Sequence, residues 1–77
     1  MIIKNKKTKE IDEIQYNDFK NKYKKEITEA FESYKRTQLN KQYYTYNKNN
    51  SLEQDFFFDL QWNFNHFGMS NWYIERM

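Results

Sequence analysis

"DFFFDLQWNFNHFG", residues 55–68, places seven large apolar side chains in fourteen positions. Its period decides the fold. Read as a strand, Phe56, Phe58, Leu60, Trp62 and Phe64 alternate with Phe57, Asp59, Gln61 and Asn63. That is close to a period of two, and aromatic residues favour strands. Read as a helix, Phe56, Phe57, Leu60, Phe64 and Phe67 form one stripe about 100° wide. Three signals favour the helix. Ser51 and Gln54 make an S-x-x-Q capping box. Gly68 stands where a glycine ends a helix, and Met69 is placed to touch Phe64 as in a Schellman turn. A strand over 55–66 would also exceed the usual length of about five or six residues. The sequence predicts a helix over 52–66.

The chain before this stretch divides cleanly. "MIIKN" and "IDEIQ" flank the polar "KKTKE" and read as a β-hairpin, with Ile2 and Ile3 in one arm and Ile11 and Ile14 in the other. The turn lacks Asn-Gly, so a longer or bulged loop is expected. Phe19, Tyr23, Ile27, Ala30, Phe31 and Tyr34 then follow a 3.6-residue period. Gln15 is the expected N-cap, Asp18 sits in the first turn, and Ile14 and Phe19 form a hydrophobic staple. Lys22–Glu26, Lys25–Glu29 and Glu32–Arg36 are opposite-charge pairs four residues apart. This helix reaches Gln38 or Leu39, or continues through "KQYYTY" to the break at "NKNN". After Gly68, Trp72, Tyr73 and Ile74 suit a short strand that adds to the hairpin. The expected fold is α+β, one small domain over 1–77. It has an N-terminal hairpin, two helices and a C-terminal strand, in the order ββααβ, with the helices on a three-stranded antiparallel sheet.

Composition narrows the function. The 77 residues contain no cysteine and one histidine, which closes thiolate metal sites and disulfides. No proline and one glycine, with 21% aromatic residues, are the reverse of a disordered composition. Aromatic burial is the available stabiliser in a domain of this size. "MIIKNKK" lacks the apolar run of a signal peptide, and no stretch approaches the roughly 18 apolar residues of a membrane span. The expectation is a protein of the cytoplasm of a bacterial host cell. Residues 1–50 carry a balance of +5 and residues 51–77 one of −3, within a net charge of +2. A basic side and an acidic side follow.

Little chemistry is readable. The one glycine excludes a Gly-rich phosphate loop. His66 has no nucleophile or orienting partner near it in sequence and reads as an exposed histidine at a helix end. Asp55 and Asp59, four apart, are too few for a divalent-cation site and read as a solvated acidic face. No catalytic residue, cofactor or metal is expected, and the chain does not read as an enzyme. Lys20, Lys24, Lys25 and Lys41, with Tyr43 and Tyr44, interleave basic and aromatic residues as single-strand binders do.

Taken together, the charged hairpin, "YNDFKNKYKKEITEAFESYK", "DFFFDLQWNFN" and the terminal "WYIE" resemble small accessory proteins of phages and prophages from AT-rich Gram-positive bacteria. The abundance of Lys, Asn, Ile, Tyr and Phe points to the same AT-rich coding. The resemblance implies an inhibitor that binds a host protein, anti-CRISPR proteins being one such class, with a CRISPR effector or another nucleic-acid enzyme as partner. It carries no functional residues across. From the residues themselves, Phe58 and Trp62 fall opposite the core stripe, flanked by Asp55 and Asp59. They are the expected partner-binding anchors, unless the hairpin, the terminal strand or a second copy of the chain covers them. The other function considered is a small nucleic-acid-binding regulator that uses the Lys-rich half.

Overall fold

The hairpin is organised by Asn5. The computed structural model describes residues 1–40 and 51–77, and begins with β1 (Ile2–Asn5) and β2 (Ile11–Glu13), paired antiparallel. The Asn5 Oδ1 accepts the backbone N–H groups of Lys7 and Thr8, both at 2.9 Å. The Asn5 N–H donates to the Glu10 carbonyl. This side-chain turn replaces the missing Asn-Gly, and Lys9 closes it with φ 67, a left-handed conformation that a lysine adopts at some cost.

β3 (Trp72–Arg76) joins the other side of β1, so the sheet order is β2-β1-β3 and every pairing is antiparallel. Ile3 lies between Asp12 and Ile74 on the inner face. Ile2 pairs with Arg76, so Glu75 is the extra residue of a bulge.

Four helices are present where two were expected. The first predicted helix is α1 (Tyr16–Lys22) and α2 (Lys24–Asn40), interrupted at Tyr23 (φ −106, ψ 28). Gln15 is the N-cap, without a side-chain cap bond. The second predicted helix is α3 (Leu52–Phe58) and α4 (Leu60–Phe67), interrupted at Asp59 (φ −121, ψ 58). α4 packs along β3, α2 packs on α4, and α1 and α3 pack on α2. The capping box of Ser51 and Gln54 is fully formed. Neither interruption carries a Gly or Pro, and tertiary partners supply the explanation. The buried Tyr23 ring lies against Phe19 and Trp72, and its hydroxyl donates to Asp12 Oδ2 at 2.7 Å. At Asp59 the last turn of α3 loses peptide donors. The buried Asn63 Nδ2 donates to the Phe56 carbonyl at 3.0 Å, with the Asp55 carbonyl 3.5 Å away.

Ile3, Phe19, Tyr23, Ile27, Ala30, Tyr34, Phe56, Leu60, Phe64 and Ile74 form the core, with Phe31, Phe57, Phe67 and Trp72 half-buried around it. Aromatic rings meet mainly edge to face: Phe19 on Phe64 at 5.5 Å, Phe31 on Phe56 at 5.5 Å and Tyr34 on Phe67 at 5.3 Å.

Two local expectations are corrected. Gly68 has φ −66 and ψ 139, so it forms no Schellman turn, and Met69 points to solvent at 76% exposure. Glycine is required there because a Cβ would stand 2.4 Å from the Phe64 carbonyl oxygen. The three ion pairs expected along the helix are also not made. Lys22, at the end of α1, turns instead to Asp12 Oδ2 at 2.7 Å.

Asp12 therefore accepts from both Lys22 and Tyr23. The Lys22 hydrogen bond, then that of Tyr23, hold its carboxyl below the ordinary value of 3.8. Burial first, and the Asp12 hydrogen bond second, push the Tyr23 hydroxyl well up. A carboxylate lowered on folding contributes stability above its unfolded pKa and loses it as pH falls through the folded value. Unfolding free energy should therefore decline as pH drops below about 4. Asp12→Asn should weaken that acid limb in urea melts. At neutral pH the same change should cost about 1 kcal/mol, less than a sheltered charged hydrogen bond because solvent reaches Lys22. Leu60→Ala, in the core at the start of α4, should cost about 2–5 kcal/mol in the same melts.

Candidate functional site

α4 has three working sides, set by its 3.6-residue turn. Leu60, Asn63 and Phe64 face the core. Gln61 and Asn65 face the free edge of β3. Trp62 and His66 face solvent. The edge contacts are side-chain amides on backbone. Asn65 Nδ2 donates to the Ile74 carbonyl at 2.8 Å, and its Oδ1 accepts the Ile74 N–H at 2.7 Å. Gln61 Nε2 donates to the carbonyls of Ile74 and Glu75 at 3.3 and 3.0 Å. The two amides cover an edge that would otherwise offer unpaired groups to another chain.

This docking turns the outer side of α3 and α4 away from the protein. Phe58 is 94% exposed and Trp62 58% exposed, so neither the hairpin nor β3 covers them. The interruption at Asp59 lies between the two, and Trp62 stacks on His66 (4.7 Å, 16°) rather than on Phe58. His66 in turn meets the edge of Phe67. Asp59 is exposed and Asp55 half-buried beside them. Among the described residues neither has an ion-pair partner, the ion pairs there being Lys4–Glu75 and Lys22–Asp12. No lysine or arginine occurs between Asn49 and Glu75. This segment exposes aromatic side chains, and its charged residues are all acidic.

Of the predicted docking residues, Phe58, Asp59 and Trp62 are exposed and Asp55 is half-buried. Sequence reasoning missed His66 as the stacking partner of Trp62, although its i,i+4 spacing from Trp62 is a usable signal. It also missed Gln61, Asn63 and Asn65, which look like a solvated polar face until the sheet edge is present.

The basic candidates are only partly gathered. Lys20 and Lys24 line a groove of about 370 Å³ between α1–α2 and α3, with Ile27 and Phe31 of α2 and Glu53 and Phe57 of α3. Lys20 Nζ lies 4.9 Å from the Tyr16 ring. Lys25 is exposed on α2 and lies outside this groove. Lys41, Tyr43 and Tyr44 lie outside the described residues. Among the described residues no cluster of three or more His, Asp or Glu is placed to hold a metal ion, and no helix is long and apolar enough to cross a membrane. No family model, curated protein or solved structure matches the chain.

Asn65→Ala should expose the Ile74 N–H and carbonyl at the sheet edge and cost about 1–3 kcal/mol. Chemical denaturation measures that cost, and hydrogen exchange should show faster exchange at the Ile74 amide.

Proposed function

We propose that this chain is a binding protein that acts by occupying a partner's surface, with Phe58 and Trp62 as the anchors and Asp55 and Asp59 as the rim. The observation that carries this reading is the near-complete exposure of Phe58 together with the exposure of Trp62. The core is filled without either ring, so folding does not account for them. Buried aromatic anchors dominate interface energetics, and charged rims steer encounter. The acidic rim selects a basic partner surface with an apolar pocket. A nucleic-acid channel of a host enzyme has that chemistry, a CRISPR effector being one example. Inhibition by occlusion needs no reactive group of its own.

The double substitution Phe58→Ser with Trp62→Ser separates anchor from core. Exposed positions change stability by about 0.5 kcal/mol or less, so the variant should melt close to the parent. Its affinity for a partner recovered from the native host should fall by 30-fold or more, the scale of a lost hot spot of about 2 kcal/mol. Unfolding of the variant, or unchanged capture of the partner, would overturn the proposal. So would ultracentrifugation showing that the parent self-associates through this face and the variant does not.

A further inference from the structure

The helices cover one face of the sheet and leave the other bare. On that bare face the register sets Ile11, Lys4 and Tyr73 in one row across β2, β1 and β3. Lys6 Nζ lies over the Tyr73 ring, 5.7 Å from its centre. Lys4, Lys6, Lys9, Ile11 and Tyr73 border a shallow hollow of about 260 Å³. Lys4 is held by Glu75 at 2.7 Å. Lys6, Lys7 and Lys9 have no carboxylate partner among the described residues. Their backbone is fixed by the Asn5 turn, with Lys7 N–H on Asn5 Oδ1, Lys9 N–H on the Asn5 carbonyl and Lys9 at φ 67.

We propose that this face binds single-stranded nucleic acid, with a base stacked on Tyr73 and phosphates on Lys6 and Lys9. Unpaired lysines on a fixed turn attract any polyanion. The aromatic ring among them selects a ligand that alternates negative charge with flat π faces, and single strands present both. An acidic peptide would use the lysines and leave Tyr73 idle. Glu10 and Glu13, exposed on the β2 side, bound the footprint and limit it to a few phosphates. The site is separate from Phe58 and Trp62 and does not depend on the docking reading.

The test is fluorescence anisotropy at low salt. A labelled oligothymidine of about 12 nucleotides, within the usual range of site sizes, is compared with an abasic strand of equal length. The thymidine strand should bind about tenfold or more tightly than the abasic one. Tyr73→Leu, which keeps an apolar side chain in the strand, should abolish that difference, and Tyr73→Phe should retain it. Changing Lys6 and Lys9 together to Ala should reduce the slope of log K against log salt by about 1.4, at roughly 0.7 per phosphate. The Phe58→Ser, Trp62→Ser variant should bind as the parent does. Absence of binding at low salt would overturn the proposal. So would equal binding of the abasic strand or of polyglutamate, or a Tyr73→Leu variant that still discriminates.

Discussion

One side-chain amide ties α4 to the edge of the sheet. Asn65 meets the Ile74 peptide with both its donor and its acceptor, so it takes the place of a neighbouring strand at the edge of β3. The bond fixes more than the edge. With Asn65 turned to β3, the helical period leaves Phe64 on Phe19 and sends Trp62 and His66 outward. The aromatic surface is therefore a consequence of how α4 docks. A second amide, Asn63, answers the carbonyls released at Asp59, which lets the aromatic-rich segment bend without leaving a buried carbonyl unpaired.

That arrangement answers why so many aromatics crowd into residues 55–68. Phe56, Leu60 and Phe64 complete a core that a chain of 77 residues cannot build from aliphatic side chains alone. Phe57 and Phe67 cover its flank. Phe58 and Trp62 contribute little to it. The charge imbalance along the chain also becomes spatial. The exposed aromatics belong to a segment whose only charges are acidic, and the hairpin turn places Lys6 and Lys9 around Tyr73.

Much of the fold was legible because it rests on short-range signals. The hairpin, the Ser51–Gln54 box, the stripe from Phe19 to Tyr34 and the strand at Trp72 each show in local spacing. The outward side of Phe58 and Trp62 was legible from the helical period. The interruptions at Tyr23 and Asp59 were not, because no Gly or Pro marks them. They depend on Asp12 and on Asn63, partners ten or eleven residues away and seven or eight residues away. Gln61, Asn63 and Asn65 read as solvated side chains because their partners are backbone groups, which a sequence does not advertise. Gly68 was legible as a helix end for the wrong reason, since the Phe64 carbonyl and not a left-handed turn excludes a side chain.

The most direct measurement is native-state hydrogen exchange of the Ile74 amide in the unmodified chain. β3 is an edge strand, and the Ile74 N–H points away from β1. If Asn65 holds it, its protection should approach that of central-strand amides in β1 and be lost only with global unfolding. Exchange as fast as that of an open edge would mean that α4 is not locked to the sheet. The orientation of Phe58 and Trp62 would then lose its structural basis.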